Sequence, residues 1–329
     1  MKVLVAGCGS IGRRHVRNLA LIGGHELGVF DPDESRREEA LADVPDATPI
    51  ATWDEALSWA PFATVLSSPT ALHAEQALDV VGRGIHVLIE KPLAASLDDA
   101  NRVTAAAEAA GVVLAVGYNN RYNPLFVAAK HVVDSGAIGR LVSGRAHFGS
   151  YLPDRHPWED YRIGYGARAD LGGGVLLDSV THQVDCASWF FGEIVSVSCA
   201  IARLGDLDID VEDTADVALR FASSAQVVLH GDFLERPPAS TFDVLGTGGK
   251  LHIETFGGLL SWFTAEDSQW HEERPVFDAN DSYVALMRAF LGAAVTGRTP
   301  IVDGRAGLAN IRVLDAAQRS AATGKVVSL

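Results

Sequence analysis

Short apolar runs alternate with helical patterns over the first 122 residues of the chain. Runs of β-branched and other apolar residues predict strands, and the stretches between them repeat apolar residues at helical spacing. The predicted strands are Lys2–Ala6, Glu26–Phe30, Thr64–Ser67, His86–Ile89 and Val112–Val116, and the predicted helices are Ile11–Leu21, Glu34–Ala42, Ala71–Arg83 and Leu97–Ala110. This alternation is typical of βαβ units, so residues 1–122 are expected to form a doubly wound α/β domain on a parallel sheet.

The pattern changes after residue 122. A helix is predicted over Pro124–Val133, and from Leu141 onward apolar and polar residues alternate with the period of half-buried strands. The further predicted strands are Val195–Ala202, Ala215–Phe221, Ala225–Asp232 and Thr241–Leu245, and the last predicted helices are Tyr283–Val295 and Gly304–Thr323. Residues 123–329 are therefore expected to form a second domain of the α+β class, with an antiparallel sheet.

Charge and cysteine usage narrow the function classes. The 329 residues carry 27 Lys and Arg against 42 Asp and Glu, a net charge of −15 that disfavours nucleic acid and anionic membranes as partners. Cys8, Cys186 and Cys199 have neither disulfide nor zinc-site spacing, which fits buried thiols in a reducing compartment. The amino terminus lacks the apolar core of a signal peptide, and no stretch has the roughly 18 apolar residues of a membrane helix, so a cytoplasmic protein is expected.

A glycine-rich turn follows the first predicted strand. Gly7, Gly9 and Gly12 have G-x-G-x-x-G spacing, and Ser10 and Ile11 lie between the last two. The first glycine permits a tight turn, the second lets the backbone approach a pyrophosphate, and the third packs a helix against a strand. The helix that starts here adds amide groups and a positive dipole. These five residues are therefore predicted to bind a dinucleotide in a Rossmann domain, with a purely structural turn as the alternative.

Asp31 follows the second predicted strand, nineteen residues after Gly12. A carboxylate at this point accepts hydrogen bonds from both hydroxyls of an adenosine ribose and repels a 2′-phosphate, so NAD is favoured over NADP as the cofactor. Arg36 and Arg37 come soon after, but they fall inside the next predicted helix and are interpreted as solvated.

The sequence Glu90-Lys91-Pro92 ends a predicted buried strand. The carboxyl ends of parallel strands form the ligand crevice of an open α/β sheet, so Glu90 and Lys91 are expected to point at the bound ligand. A surface ion pair before a turn is the alternative interpretation.

The stretch 172–192 predicts a helix whose two faces differ. At about 100° per residue, Asp178, His182, Asp185 and Trp189 fall on one stripe, opposite an apolar stripe. The spacing places Asp178 one turn from His182, an arrangement that orients an imidazole and raises its basicity, so proton transfer is predicted. A solvated acidic face, a structural Asp–His pair and a zinc site are the alternatives. No fourth zinc ligand is spaced nearby, so no metal is expected.

With these three motifs in order, the chain resembles the Gfo/Idh/MocA oxidoreductases over essentially its whole length. This is the family of glucose–fructose oxidoreductase and inositol 2-dehydrogenase. The resemblance extends to Ser68-Pro69-Thr70-x-x-His73, to the segment from Gly117 to Pro124, and to the segment from Ser320 to Gly324. It implies an amino-terminal Rossmann domain, a carboxy-terminal domain with a large open antiparallel sheet, and NAD(P)-linked chemistry on sugars, cyclitols or their derivatives. It also implies a homodimer or homotetramer built through the open sheet.

The resemblance assigns roles residue by residue. Lys91 would hydrogen-bond the reacting oxygen, His182 would act as the general acid and base, and Asp178 would position the substrate or His182. A cis peptide bond is often found before the proline that matches Pro92. Further cofactor contacts are expected from Ser68, Pro69, His73, Glu90, Lys91 and Arg121, and a further substrate contact from Asn119. The sequence departs from many members at positions 180 and 181, where glycine or isoleucine is usual.

The segment from Gly149 to Arg162 is rich in arginine and aromatic side chains. It is similar to family members of nucleotide-sugar and sialic-acid-like pathways. Its candidate substrate contacts are Tyr151, Arg155, Trp158 and Arg162, because such side chains bind carboxylates, phosphates and sugar faces. Subunit interfaces favour the same residue types, so a subunit contact is the alternative.

Together these observations predict an NAD-dependent dehydrogenase that moves a hydride between a secondary alcohol carbon of a small carbohydrate-like substrate and the nicotinamide. One alternative is a family member that uses tightly held NAD for oxidation–elimination or hydrolysis. Another is a non-catalytic NAD-binding regulator. Loss of Lys91, Asp178 or His182 would favour the regulator, and all three residues are present.

Overall fold

The backbone of the computed structural model, which describes residues 1–329, divides into two compact units. The first comprises Met1–Asn119 and Asn280–Ile311, and the second comprises Asn120–Ala279 and Arg312–Leu329. Division by sequence pattern at residue 122 assigns everything beyond that point to the second domain, whereas the structure places residues 280–311 in the first unit. The difference arises because periodicity identifies a helix but does not show which sheet the helix packs on.

Ten α-helices account for most of the helical structure. They are α1 (Ser10–Ile22), α2 (Glu34–Asp43), α3 (Trp53–Ser58), α4 (Thr70–Val81), α5 (Leu97–Ala110), α6 (Pro124–Asp134), α7 (Leu152–Arg155), α8 (Thr181–Phe191), α9 (Asp281–Thr296) and α10 (Gly304–Thr323). Short 3-10 turns lie at Asn119–Tyr122, Tyr161–Ile163, Tyr165–Ala167 and Ala169–Leu171. In the first unit α9 packs on α1, where the amide side chains of Asn18 and Asn280 bond to each other. No helix combines the length and the hydropathy needed to cross a membrane.

A six-stranded parallel sheet forms the centre of the first unit. Its strands are β1 (Lys2–Ala6), β2 (Glu26–Phe30), β3 (Thr48–Ile50), β4 (Ala63–Leu66), β5 (His86–Ile89) and β6 (Leu114–Val116). They lie in the order β3-β2-β1-β4-β5-β6, which is the doubly wound order. The predicted fold class is therefore confirmed for this unit. Sequence analysis missed β3, because this short edge strand has Pro49 at its centre and only Ile50 as a buried apolar residue.

A nine-stranded sheet dominates the second unit. Its strands are β7 (Leu141–Gly149), β8 (Ile194–Ala202), β9 (Thr214–Phe221), β10 (Gln226–Asp232), β11 (Ala239–Gly246), β12 (Gly249–Glu254), β13 (Leu259–Thr264), β14 (Gln269–Glu273) and β15 (Val327–Ser328). Their order is β14-β13-β12-β11-β7-β10-β9-β8-β15, and every pair is antiparallel except β7 with β10. The sheet keeps two free edges, so the expected large open sheet is confirmed. The edge strand β14 was missed because it has no buried residue.

The predicted helix over residues 172–192 is interrupted. Residues Leu176–Val180 form a π-helical turn, and α8 continues from Thr181. A π turn holds more residues than an α turn, so the projection at about 100° per residue does not hold through this segment. The prediction of one ionisable stripe is wrong, because Asp185 is fully buried in the interior of the second unit. The three cysteines are buried thiols, as expected.

Candidate active site

Five chemically distinctive residues follow the ends of neighbouring strands in the first sheet. The register pairs the last residue of β1 with those of β2 and β4, and the last residue of β5 with those of β4 and β6. The residues that come next are Gly7, Asp31, Ser67, Glu90 and Gly117. They therefore lie along one edge of the sheet, the carboxyl edge at which open α/β sheets bind ligands.

The glycine turn after β1 is sterically closed at two positions and open at one. A Cβ at Gly12 would lie 1.8 Å from the carbonyl oxygen of Gly7, and a Cβ at Gly7 would lie 2.6 Å from the backbone nitrogen of Ser68. Gly7 also has a φ of +94°, a conformation that favours glycine. No atom lies within 4 Å of the Cβ position of Gly9. The turn is therefore packed tightly against the segment that follows β4 but leaves backbone accessible at its second glycine.

The amino terminus of α1 is unoccupied by protein side chains. Gly9 is its N-cap and provides no side-chain hydrogen bond, and no acidic residue lies in the first turn, which begins with Ser10 and Ile11. The free amide groups and the helix dipole thus favour an anion at this point. Together with the accessible backbone of Gly9, this geometry fits the pyrophosphate of a dinucleotide.

Asp31 is rigidly placed beside the turn. Its carboxylate accepts hydrogen bonds from the backbone amides of Cys8 (2.8 Å) and Asp33 (3.0 Å), and the residue is only 4 % exposed. Arg37 is half-buried and donates to the backbone carbonyl of Asp31 at 2.6 Å, whereas Arg36 is exposed. The interpretation of both arginines as solvated is therefore wrong for Arg37, whose side chain is bonded to the backbone of Asp31.

Glu90 is bound inside the first unit by a residue that sequence analysis missed. Its carboxylate lies 2.7 Å from Nε2 of His15, a fully buried side chain of α1. Burial alone would raise the pKa of Glu90, but the hydrogen bonds and charges of His15 and Lys91 together outweigh it and the pKa is lowered. A Cβ at Gly117 would lie 2.8 Å from the same carboxylate. Glu90 thus joins the glycine-turn helix to the end of β5, and the signal for its partner was a histidine three residues after Gly12.

His73 and Ser68 connect the ends of β4 and β5. The Nδ1 and Nε2 atoms of His73 each lie 2.9 Å from a backbone carbonyl, that of Pro92 and that of Ser68, respectively. Burial lowers the pKa of His73. The hydroxyl of Ser68 donates to Gln76 at 2.6 Å, and Pro69 is the N-cap of α4. A neutral imidazole has one N–H, so His73 donates to one of these two carbonyls and lies between the segment after β4 and the turn that carries Lys91.

Lys91 follows Glu90 at the carboxyl edge. Its side chain is half-buried, and the Lys91–Pro92 peptide bond is cis, as the resemblance implies. Its backbone amide donates to the carboxylate of Glu90 at 3.2 Å. Asn119, just beyond β6, donates from its side-chain amide to Ser282 at 3.0 Å. The backbone around Lys91 is therefore held at two points. Glu90 accepts from the amide of Lys91, and His73 contacts the carbonyl of the next residue, Pro92.

In the second unit Asp178 lies in the π turn and is paired with Arg155. The guanidinium donates to the Asp178 carboxylate at 2.9 Å and to the Ser179 hydroxyl at 3.4 Å. It also contacts the rings of Phe148 and Phe233, at 5.2 and 4.7 Å from their centres. His182 follows one turn later and is half-buried. The arginine expected to contact substrate is thus largely covered by protein and holds the candidate catalytic carboxylate.

Arg121 and the remaining arginine–aromatic residues have other partners. Arg121 forms a two-point ion pair with the fully buried Asp185, at 2.8 and 2.9 Å.

Arg162 is exposed and forms a similar ion pair with Asp160, and this pairing lowers the pKa of Asp160 to about 2. The ring of Tyr151 lies under Arg236, 3.6 Å away, and Trp158 is 73 % exposed. Of these side chains, Trp158 is the one that the structure leaves most accessible.

Comparison with known proteins identifies the family. Residues 1–118 match the oxidoreductase family with an NAD-binding Rossmann fold, and residues 126–252 match the GFO/IDH/MocA C-terminal domain. The chain belongs to the Gfo/Idh/MocA oxidoreductases. The predicted resemblance is confirmed, and with it an NAD-binding Rossmann domain and NAD(P)-dependent oxidoreductase activity on CH–OH groups.

Individual relatives of this Gfo/Idh/MocA chain cover it almost completely. A D-xylose 1-dehydrogenase (NADP(+)) from Haloferax volcanii is 30% identical over 99% of this chain and 98% of its own length. The myo-inositol dehydrogenase Hyg17 from Streptomyces leeuwenhoekii is 29% identical over 99% of both chains. The solved structure of GenD2 from gentamicin A biosynthesis, in complex with NAD, is 30% identical with a TM-score of 0.87, over 100% of this chain and 96% of that one.

Proposed function

We propose that this chain is an NAD-dependent dehydrogenase that oxidises a secondary alcohol of a sugar, cyclitol or sugar derivative, or catalyses the reverse reduction. The observation that carries the proposal is the open glycine turn on the same sheet edge as Lys91, in a chain that also has Asp178 and His182. The relatives named for xylose and myo-inositol act on polyhydroxylated substrates, which supports the substrate class.

Bound NAD supplies the hydride acceptor. Gly7, Gly9 and Gly12, with the amides of Ser10 and Ile11, bind its pyrophosphate at the start of α1. Asp31 accepts hydrogen bonds from the adenosine ribose, and Ser68 and Pro69 border the cofactor at the start of α4. In this proposal Glu90, His73 and Arg121 position other groups, because each is already paired within its own unit.

The protein's own contribution is to bind the alcohol and to manage its proton. An alcohol releases hydride readily only when its hydroxyl loses its proton, so a base and a stabilising cation are needed. His182 takes the proton, and Lys91 donates a hydrogen bond to the reacting oxygen. Asp178, held by Arg155, orients the imidazole or a substrate hydroxyl. Asn119, Tyr151, Trp158 and Arg162 are proposed substrate contacts.

A screen of purified protein tests this function. We expect sustained NADH formation with at least one compound from a panel of aldoses, inositols, uronic acids and nucleotide sugars, followed by nicotinamide absorbance. The Lys91→Ala variant is the control for contaminating dehydrogenases. Absence of turnover with every polyol, together with NAD that remains bound through purification, would instead favour a family member that recycles its cofactor.

The cofactor preference depends on Asp31. Its fixed carboxylate would face two hydroxyls in NAD but a phosphate in NADP, so NAD should bind at least about tenfold more tightly, or about 1.4 kcal/mol. Dissociation constants of both cofactors, measured by fluorescence titration, check this. The relative from Haloferax volcanii is named for NADP(+), so membership of the family does not set the cofactor preference. The prediction for this chain therefore rests on Asp31.

Substitution separates Asp31 from its neighbours. Asp31→Asn should narrow the ratio of the two dissociation constants by removing the charge that repels the phosphate. Asp33→Asn removes the same charge two residues away, at the exposed N-cap of α2, and should leave the ratio unchanged. Equal affinities for NAD and NADP in the unmodified protein would overturn the assignment.

Self-association through the nine-stranded sheet is a further part of the proposal. Val228 of β10 and Leu245 of β11 are 49 % and 46 % exposed, although they lie on strands that flank β7 in the middle of the sheet. An interface across the sheet would cover both side chains. Sedimentation analysis should give a dimer or tetramer, and Leu245→Lys should reduce the mass of the assembly.

A further inference from the structure

A cluster of two imidazoles and two carboxylates lies at the end of β7 and β10, in the second unit. One ligand atom each of His147, Asp232 and Glu235 lies within 4.8 Å of the others. His147 and Glu235 approach to 2.6 Å between Nε2 and Oε2. His230 stacks on His147 with ring centres 5.1 Å apart and an angle of 6° between the rings. No step of the proposed dehydrogenase reaction uses these residues.

The second imidazole, that of His230, lies between two carboxylates. The Nδ1 atom of His230 lies 2.8 Å from the carboxylate of Asp216, and its Nε2 atom lies 3.2 Å from Oδ2 of Asp232. His230 thus bridges the two carboxylates and holds the Oδ2 atom of Asp232 in position. Carboxylates that bind a metal are themselves commonly held by such outer hydrogen bonds.

A glycine makes room for the two carboxylates. A Cβ at Gly149 would lie 1.9 Å from Oε2 of Glu235 and 2.7 Å from Oδ2 of Asp232. Both carboxylate oxygens therefore lie close to the Cα atom of Gly149. The other oxygen of Asp232 accepts from the amides of Leu234 and Glu235, at 2.7 and 2.8 Å, which fixes the direction of the converging one.

We propose that His147, Asp232 and Glu235, with His230 behind Asp232, form a binding site for one divalent transition-metal ion of the zinc class. One imidazole nitrogen together with two carboxylate oxygens suits zinc better than magnesium or calcium, which prefer oxygen ligands alone. The side chains of the four residues are between 10% and 37% exposed, so an ion can reach them.

The proposed ion would brace the back of the sheet that supports Asp178. Side chains of a strand alternate between its faces. Phe148, between His147 and Gly149, contacts the guanidinium of Arg155, and the Cβ position of Gly231, next to His230, lies 2.5 Å from the side chain of Val180 in the π turn. The backbone amide of Tyr151 also donates to the carbonyl of Glu235 at 2.8 Å. Metal binding would thus tie together β7, β10 and the segment that leads to Arg155.

Calorimetric titration of the full-length, untagged protein with zinc, after removal of metals by a chelator, tests this site. We expect one zinc ion per chain and much weaker binding of magnesium and calcium. His147→Gln and Glu235→Gln should each weaken zinc binding by at least about tenfold, and Asp216→Asn by about tenfold through the support that it removes. His252→Gln is the matched control, because His252 forms a similar pair with Asp243 at 2.9 Å on the same sheet. It should bind zinc as the unmodified protein does.

Two results would overturn the proposal. One is the lack of saturable zinc binding, which would mean that protons alone satisfy these imidazoles. The other is unchanged affinity in the His147 and Glu235 variants, which would place the ion elsewhere. X-ray absorption of the zinc-loaded unmodified protein gives a readout that does not depend on variant folding: one imidazole nitrogen should be found in the first coordination shell, and the other ligands should be oxygens.

Discussion

Replacing Lys91 with alanine should lower kcat by roughly 10²–10³ while the dissociation constant for NAD changes little. The ammonium group is proposed to donate to the reacting oxygen, where negative charge grows as the hydroxyl loses its proton, and removal of one such donor has an effect of this size. The glycine turn and Asp31, which are proposed to bind the cofactor, do not depend on this side chain. Steady-state kinetics and a separate NAD titration measure the two quantities.

The exposed Lys325 provides the control for loss of a lysine at a distant position. Lys325→Ala should retain the kcat of the unmodified enzyme. Lys91→Arg keeps the charge but changes its shape and reach, so it should recover only part of the activity. A Lys91→Ala enzyme with most of its kcat would show that this residue is a surface lysine of no catalytic importance.

Replacing His182 with alanine should lower kcat/KM for alcohol oxidation by roughly 10²–10⁴. It should also remove a limb of the pH profile. The neutral imidazole is the base, so kcat/KM of the unmodified enzyme should be low at acid pH and level off at higher pH. The rise between these limits should follow the ionisation of a histidine, whose ordinary pKa is about 6.5. A pH series of kcat/KM for both enzymes checks the rate and the limb together.

Asp178→Asn tests the charge beside the proposed base. The carboxylate favours the imidazolium, so its removal should move the limb to lower pH and cause a smaller loss of rate than removal of His182. His131→Ala, which replaces an exposed histidine at the end of α6, should change neither. If the His182→Ala enzyme kept the original pH profile, the base would be another group and Asp178 would have a structural role.

The segment from Leu176 to Phe191 shows where periodicity succeeds and fails. Its apolar pattern correctly predicts a helical element with a buried side. The π turn at Leu176–Val180 and the full burial of Asp185 were not predictable, because both follow from packing within the second unit. Arg121 lies 64 positions away in sequence and neutralises Asp185 there. A carboxylate in a sequence pattern is assigned to the solvent-facing side of a helix, because the residue that neutralises it in the interior lies elsewhere in the chain.

The sequence by itself determined the features that depend on near neighbours. The turn at Gly7, Gly9 and Gly12, the strands β1, β2 and β5 and the helix α5 were predicted correctly, because turn sterics, alternation and capping act over a few residues. The order of the motifs was also enough to indicate the family. These signals are local, and a reader of the chain can follow them without knowing what lies across the fold.

Only the tertiary structure decided which charged groups meet. His15 binds Glu90 across 75 residues, Arg155 binds Asp178 across 23, and His147 approaches Glu235 across 88. Such pairs depend on strand register and on how helices pack on a sheet, and a buried charge is retained only where that packing supplies an opposite charge or a hydrogen bond. The type of each side chain is written in the sequence, but its environment, and hence its chemical role, is set by residues that are distant along the chain.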